Sequence, residues 1–252
     1  RGARDLEALR GVSLEVRGGE IVGLIGVEGN GQSELVEVVA GLRPVTAGEV
    51  RLSPRGGGAA QVITRLTPRA RRVAGIGHVA EDRLRRAVLK AWSIADNLVL
   101  DRFHQAPYSR AGRLDHEAIR ERGAGMVQRY RIKAPDARTT VGSLSGGNQQ
   151  KVVMARELDD RYHVLLIAQP TRGVDAGAAE SIHDEMRALR DRGAGVLLVT
   201  NELDELLALS DRIGVVYHGE IVAWRDRGTV SREELGRLMI GGRMTGELGA
   251  PA

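Results

Sequence analysis

A glycine-rich segment between a run of apolar residues and a helical pattern has the composition of a phosphate-binding loop. Its residues fit the pattern G-x-x-x-x-G-x-[ST], namely Gly26, Val27, Glu28, Gly29, Asn30, Gly31, Gln32 and Ser33. Glycines let backbone N–H groups approach phosphate oxygens, and the start of the following helix adds a partial positive charge. Ser33 stands where a Mg²⁺ ligand belongs, but Gln32 replaces the expected lysine and Glu28 adds a negative charge. Taken alone, this segment is equally compatible with a glycine-rich turn that binds nothing.

A second glycine pair precedes a helical pattern further along the chain. The residues there are Leu144, Ser145, Gly146, Gly147, Asn148, Gln149, Gln150 and Lys151. Ser145 is predicted to cap the helix through its hydroxyl, and the two glycines expose backbone N–H groups at the helix start. This arrangement suits an anion.

The elements that position these two segments alternate between strands and helices. Val12, Leu14 and Val16 predict a half-exposed strand. Further strands are predicted at 21–25, 49–52, 164–168 and 196–200, helices at 33–40, 182–189 and 203–209, and a hairpin at 213–223 around a turn at 218–219. The region from 81 to 141 reads as helical, with Asp96, Ser109 and Asp115 as candidate helix starts. The alternation predicts a mainly parallel α/β sheet.

Composition and charge exclude several classes of protein. The chain has 252 residues, of which 42% are hydrophobic and 3% aromatic, so Val, Leu, Ile and Ala must fill the core. The lack of cysteine excludes disulfides and cysteine-ligated zinc, and no apolar run reaches the roughly 18 residues that span a bilayer. The histidines show no metal-ligand spacing. The net charge of +4 is compatible with nucleic acid or anionic lipid as partners, but its even spread favours solvated helix faces. Since the first residue is Arg1 rather than Met, we expect a piece of a longer protein.

The motifs together resemble the ATP-binding cassette of ABC transporters. Residues 144–151 resemble the ABC signature motif in the form typical of monosaccharide importers. Residues 164–171 are similar to the Walker B strand and its loop, 172–175 to the D-loop, 199–205 to the switch region and 77–83 to the Q-loop. Order and spacing agree from about residue 10 to residue 242. The strongest likeness is to the C-terminal half of importer ATPases that carry two cassettes in one polypeptide, and residues 169–173 favour the nucleoside-importing branch.

The resemblance implies a fold and a division into domains. The expected fold is α/β, an ABC-type P-loop ATPase core with an antiparallel β subdomain and a helical subdomain. Residues 1–80 would form the antiparallel β subdomain and the phosphate-loop part of the core. Residues 81–143 would form the Q-loop-like region and the helical subdomain, 144–242 the signature helix and the rest of the core, and 243–252 a tail.

The resemblance also implies an impaired catalytic site. Gln32 replaces the phosphate-binding lysine, Ala168 the metal-holding aspartate, Gln169 the glutamate that polarises water, and Asn201 the histidine that senses the γ-phosphate. We therefore expect weak ATP binding with little Mg²⁺ and little hydrolysis by this cassette, with ATPase activity a property of the whole transporter. Nucleotide contacts would come from Gly26, Glu28, Gly29, Asn30, Gly31, Gln32, Ser33 and Glu81, with Ser33 as the candidate metal ligand. No aromatic residue precedes Trp92, which leaves the adenine contact unassigned.

The intact signature motif implies a role toward a partner. Cassettes of this family pair head to tail, so residues 144–149 would face ATP held by a first cassette, and Asp175 would reach the shared interface. Further expected partners are membrane permease subunits, docked near residues 81–97, and indirectly a solute-binding protein. The expected location is the cytoplasmic face of the cell membrane, without nucleic acid.

Two other classes remain open at this point. A soluble ABC protein acting on nucleic acid or the ribosome would suit the basic charge, although such proteins usually keep their catalytic residues. A small-molecule kinase with another P-loop fold would suit residues 26–33, although the signature-like segment speaks against it.

Overall fold

The computed structural model describes residues 7–54, 56–79, 81, 87–158 and 161–241. The helices are α1 Gln32–Ala40, α2 Pro68–Val73, α3 Ile94–Leu98, α4 His116–Arg129, α5 Gly146–Glu157, α6 Ala176–Asp191, α7 Leu203–Leu209 and α8 Arg232–Met239. The strands are β1 Ile21–Ile25, β2 Arg51–Leu52, β3 Gln61–Val62, β4 Ile76–Val79, β5 Ser109–Arg110, β6 Arg113–Leu114, β7 Val164–Ala168, β8 Gly195–Val199, β9 Arg212–Tyr217 and β10 Glu220–Asp226. The predicted tail at 243–252 and part of the Q-loop-like region, including 82 and 83, lie outside the described residues.

The chain divides into two compact units. The first comprises the described residues of 1–78, 160–169 and 186–252, and the second those of 79–159 and 170–185. The main sheet of the first unit has the strand order β10-β9-β1-β8-β7-β4. Strand β1 pairs in parallel with β8 and β9, β7 pairs in parallel with β8, and β10 is antiparallel to β9. The sheet is therefore mixed but mainly parallel through its centre, and β2 and β3 form a separate antiparallel pair.

The centre of the main sheet is buried because its strands are almost entirely apolar. Every residue of β1 and β8 is buried, as expected for strands covered on both faces. Val22 and Leu24 pack in one cluster with Leu35 and Val36 of α1. Gly41 ends α1 in the left-handed conformation, with φ of 79°. Helix α1 thus packs on the sheet through this cluster and contacts β7.

A buried arginine fixes the other end of α1. Arg71 on α2 is 2% exposed, and its guanidinium donates to four backbone carbonyls. These are Val38 O at 2.6 Å, Val39 O at 2.7 Å, Thr64 O at 2.6 Å and Leu66 O at 3.2 Å. Two of the acceptors belong to the last turn of α1, where carbonyls lack helical partners and the helix dipole favours a cation. Burial lowers the pKa of Arg71 from its ordinary value.

We predict that Arg71→Met destabilises the protein by about 3 kcal/mol, because the four backbone carbonyls lose the donors of the buried guanidinium. The measurement is the midpoint of urea unfolding. Arg69→Met is the matched control, since Arg69 lies on the same helix and is exposed. Equal midpoints for the two variants would contradict the capping role of Arg71.

The second unit is built mainly from helices. Helix α3 packs against α4 and α5, and the short hairpin β5–β6 precedes α4. Two ion pairs between neighbouring residues are buried, Arg102 with Asp101 at 3.0 Å and Arg156 with Glu157 at 2.8 Å. The guanidinium of Arg102 also donates to Arg156 O at 3.1 Å, which joins the two pairs. Asn97, fully buried on α3, bonds both the N–H and the carbonyl of Leu89.

Three of the local predictions need correction or refinement. The predicted strand at 12–16 is wrong, because the segment keeps its alternating burial and packs on the core but no strand is assigned to it. Ser109 lies in β5 and starts no helix. Helix α3 is capped by Ser93, with Asp96 in its first turn, whereas Asp115 caps α4 as predicted. Among the described residues, no helix is long and apolar enough to cross a membrane.

Candidate functional site

The carboxyl ends of three adjacent strands bring the first set of predicted site residues together. Val199 of β8 is in register with Leu24 of β1 on one side and with Ala168 of β7 on the other. Because the three strands are parallel, the segments that follow them emerge at one edge of the sheet. These segments are residues 26–33, called the phosphate loop from here on, together with Gln169 and Asn201. Ligands of open parallel sheets commonly bind at this edge.

Glycines give the phosphate loop its shape. Gly29 and Gly31 have φ of +90° and +110°, a conformation that side-chain-bearing residues rarely adopt. Gly31 is also the N-cap of α1, and as a glycine it has no side chain that could cap the helix. The N–H groups at the start of α1 are therefore without a side-chain acceptor from the cap, as an anion site requires.

The tip of the loop is tied to the hairpin between β9 and β10. The side-chain oxygen of Asn30 accepts from His218 N at 3.0 Å, and its carbonyl accepts from Gly219 N at 2.9 Å. Gly31 lies against Ala8 O, and a Cβ built on Gly31 would lie only 2.6 Å from that oxygen. The sequence predicted the hairpin but not this contact, because the partners are 188 residues apart.

Gln32 turns inward and occupies the loop. It is 5% exposed, and its Nε2 lies 3.4 Å from Val27 O. A Cβ on Gly26 would lie only 2.5 Å from the same nitrogen, so the amide lies directly over that glycine. Ser33 and Glu28 are exposed. A neutral amide thus stands where a cationic side chain would balance phosphate charge.

The residues after β7 and β8 contact one another. Gln169 is 6% exposed, with φ of 49°, and its backbone N–H donates to Val199 O at 2.8 Å. Its side-chain oxygen lies 3.4 Å from Asn201 N, a long hydrogen bond. Ala168 is 4% exposed and offers only a methyl group. The polar group of Gln169 is directed to the protein backbone.

The N–H groups at this edge of the sheet suit a phosphate group, whereas the side chains there offer few oxygen ligands to a hydrated Mg²⁺. Magnesium prefers oxygen ligands in octahedral geometry, commonly including a carboxylate. Ser33 supplies one hydroxyl, and Ala168 supplies no side-chain oxygen. Across the described parts of the chain, no group of three or more His, Asp or Glu side chains is arranged to hold a metal ion.

The second set of site residues lies in the second unit. Helix α5 begins at Gly146, and residues 144–149 are called the signature segment from here on. Ser145 occupies the N-cap position, but its side chain makes no cap bond, so the predicted hydroxyl cap is wrong. The hydroxyl instead accepts from Asn148 Nδ2 at 2.9 Å. Gln149 is buried and donates to Leu144 O at 2.9 Å.

The start of α5 is open. Ser145 and Gly146 are exposed, and a Cβ built on Gly146 meets nothing within 4 Å. The backbone of Gly146 is not in the left-handed region. Larger side chains therefore fit this position without strain in the described structure.

Asp175 lies beside the signature segment. A Cβ on Gly147 would lie 3.7 Å from Asp175 Oδ2. The other carboxylate oxygen accepts from Ala178 N at 2.9 Å at the start of α6. This backbone bond lowers the pKa of Asp175 below its ordinary value, and the charges of Lys151 and Lys133 lower it further. Sequence reasoning missed the two lysines, because only the fold brings them near Asp175.

Glu81 forms an ion pair within the second unit. Its Oε1 lies 3.4 Å from Arg172 Nη1, and the two side chains are 30% and 66% exposed. Such exposed pairs contribute little stability.

We predict that Asp175→Asn lowers stability at neutral pH, because the folded state favours the ionised carboxylate. A lowered folded-state pKa gives stability that is present above the unfolded pKa, near 3.9, and is lost as pH falls through the folded value. The measurement is the difference in urea midpoint between wild type and variant from pH 7 to pH 2.5, which should shrink toward zero on the acid side. Asp226→Asn, at an exposed position on β10, is the control. A difference independent of pH would contradict the assignment.

Comparison with known proteins identifies relatives for most of the chain. The ABC transporter family model matches residues 9–172. The guanosine import ATP-binding protein NupO of Bacillus subtilis is 40% identical over 96% of this chain and 46% of its own length. The nucleoside import ATP-binding protein NupA of Lactococcus lactis is 39% identical over 94% of this chain and 46% of its own length. The glucose import ATP-binding protein TsgD13 of Haloferax volcanii is 41% identical over 95% of this chain and 43% of its own length. The chain thus spans about half the length of these relatives.

Solved structures share the fold. A nucleotide-free ATP-binding cassette from an ABC transporter superposes with a TM-score of 0.74 at 24% identity, covering 94% of this chain and 90% of that one. A dimeric cassette in a post-hydrolysis state with ADP and phosphate gives a TM-score of 0.73 at 23% identity, covering 88% and 92%. The predicted fold class is confirmed: a mixed α/β sheet, a separate antiparallel sheet and a helical subdomain.

Proposed function

Because this chain belongs to the ABC transporter family, we propose that it is an ATP-binding cassette of an importer for nucleosides or simple sugars. The names of the relatives support this substrate class, since they include guanosine, nucleoside, glucose and ribose importers. Two of these relatives are named as guanosine and nucleoside importers, which agrees with the likeness of residues 169–173 to the nucleoside-importing branch.

The finer proposal is that the chain is the second of two cassettes and that its own nucleotide site is hydrolytically impaired. The relatives are about twice as long as this chain, which agrees with two cassettes in one polypeptide. The observation that carries the proposal is a contrast within one chain. The signature segment is intact in sequence, its Ser145 and Gly146 are exposed, and the space around Gly146 is free, whereas Gln32, Ala168 and Gln169 stand in place of the charged groups expected at the phosphate-loop site.

The chemistry at the phosphate loop supports binding more than hydrolysis. The glycine backbone and the start of α1 still attract an anion, so ATP can lie there with little Mg²⁺. Hydrolysis needs a base and charge neutralisation around the transferred phosphoryl group. Loss of a general base alone typically costs about 10²–10⁴ in rate. Here the side chain at the base position is a buried amide that faces Asn201 N.

The chemistry at the signature segment supports a role in a partner's site. Gly146 and Gly147 begin a helix of twelve residues, so their N–H groups lie at its positive end. In a head-to-tail pair these groups and Ser145 would bind the γ-phosphate of ATP held by the first cassette. Asp175, adjacent to Gly147, would lie at the same interface.

The remaining partners follow from the importer assignment. Membrane permease subunits would dock near residues 81–97, and a solute-binding protein would act through the permease on the other side of the membrane. The cassette would therefore work at the cytoplasmic face. Co-purification with a permease would support this assignment, whereas nucleic acid in its place would support the soluble ABC class.

We predict that Gly146→Leu reduces the ATPase activity of the assembled transporter at least about 100-fold. The added side chain has free space within the chain but would fill the position of the partner's phosphate. The measurement is ATP turnover by the reconstituted transporter. Gly125→Leu on α4 is the matched control, since it is also exposed and meets nothing within 4 Å. Full turnover by the Gly146 variant would refute the proposal.

We also predict that Gln169→Glu alone raises ATP turnover by the purified cassette less than about tenfold. The new carboxylate would still lack the lysine at 32 and the aspartate at 168. Turnover should be measured with Mg²⁺, alongside the triple variant that also carries Gln32→Lys and Ala168→Asp. A gain of about 100-fold or more from the single change would mean that only the base was missing. Brisk turnover by the unmodified cassette would contradict the impaired site directly.

A further inference from the structure

Asn148 connects two parts of the second unit through its side-chain amide. Its Oδ1 accepts from Lys133 N at 2.8 Å, and its Nδ2 donates to Ser145 Oγ at 2.9 Å. One bond reaches the turn after α4, and the other reaches the N-cap residue of α5. Both contacts lie within the second unit.

The orientation of this amide follows from its partners. The backbone N–H of Lys133 can only donate, so it must face the amide oxygen of Asn148. The amide nitrogen therefore faces Ser145, and the opposite orientation would place two donors against each other. The turn that carries Lys133 thus decides which way the Asn148 side chain points.

The orientation of Asn148 in turn directs the hydroxyl of Ser145. A serine hydroxyl has one hydrogen to donate and two lone pairs. Because Asn148 Nδ2 donates to Oγ, the hydroxyl hydrogen points away from Asn148. The Ser145 side chain makes no hydrogen bond to the backbone N–H groups in the first turn of α5, and Ser145 is exposed. Its hydrogen is thereby available to an anion outside the helix.

A second side chain of α5 holds the same turn. Lys151 Nζ donates to Arg131 O at 3.1 Å. Arg131 has φ of 49°, and Ile132 N donates to Val127 O at 2.9 Å as the chain leaves α4. The turn at 131–133 is therefore fixed against α5 at two points, Asn148 and Lys151, one turn of helix apart.

We infer that Asn148 is a positioning residue that orients the Ser145 hydroxyl as a hydrogen-bond donor to the γ-phosphate of the partner cassette's ATP. This inference rests on the proposed function of the signature segment. Asn148 acts through Ser145, and the turn at 131–133 sets its orientation through Lys133 N. A hydrogen bond to a charged group is among the stronger ones, so its correct direction matters for turnover.

The test is a double-mutant cycle in the assembled transporter. Ser145→Ala should lower kcat for ATP about tenfold, in keeping with a lost bond to a charged group. When Ser145 is present, Asn148→Ala should lower kcat by a smaller factor than Ser145→Ala does. In a protein that already carries Ser145→Ala, it should have no further effect. Equal losses in both backgrounds would show that Asn148 does not act through Ser145 and would overturn the inference.

Asn148→Asp separates the hydroxyl direction from a merely structural role. Its carboxylate still accepts from Lys133 N, which keeps the contact between the turn and α5. An ionised carboxylate only accepts, so the Ser145 hydroxyl would turn its hydrogen toward residue 148 and away from the phosphate. We expect kcat close to that of Ser145→Ala, with an unfolding midpoint close to wild type. Wild-type kcat for Asn148→Asp would overturn the inference.

The added charge of Asn148→Asp has its own control. In the Ser145→Ala background the same change reports the effect of charge alone. A loss as large there as in the Ser145 background would assign the effect to charge and overturn the inference. If Ser145→Ala and Gly146→Leu both keep full turnover, the proposed function itself fails. If Ser145→Ala and Gly146→Leu lower turnover but the effects of the substitutions at 148 and 145 on kcat are additive, only the positioning role of Asn148 fails.

Discussion

The parallel pairing of β1, β8 and β7 is the constraint on which the first candidate site depends. The ladder aligns Leu24, Val199 and Ala168 across three neighbouring strands. Three segments distant in the sequence must then leave the sheet at the same edge. The strands can pair in this way because they are almost wholly apolar and buried. The placement of the phosphate loop beside Gln169 and Asn201 is a consequence of strand register.

The two glycine-led helix starts of this chain use the same backbone chemistry with opposite outcomes. At α1, the side chain of Gln32 turns into the loop, and its Nε2 donates to the carbonyl of Val27. At α5, the side chain of Asn148 turns toward Ser145 and leaves the helix start open. A helix N-terminus attracts anions in both cases. The difference lies in the neighbouring side chain: Gln32 fills the space at the start of α1, whereas Asn148 leaves the start of α5 open.

Buried strands could be predicted from the sequence more accurately than half-exposed segments or the hydrogen bonds of helix caps. The apolar runs at 21–25 and 164–168 predicted β1 and β7 with the bounds that the structure gives, because burial on both faces leaves an unbroken apolar signal. The alternating residues at 12–16 predicted burial correctly but not backbone pairing, since alternation reports which side faces the core and not whether a partner strand is present. The cap at Ser145 was placed correctly and its bond was not, because a side chain 3 residues along competes for the hydroxyl.

The sequence by itself determined which motifs are present, their order and the side chains that they carry, because those are properties of residue type and spacing. Tertiary structure alone decided which groups meet. Arg71 bonds carbonyls 32 and 33 residues away, and Asn30 meets His218 across 188 residues. Lys133 reaches Asn148 and approaches Asp175 only after α4 and α5 have both packed against α3 in the second unit. Such contacts join single polar atoms over long stretches of chain, and no local pattern of hydrophobicity or propensity encodes them.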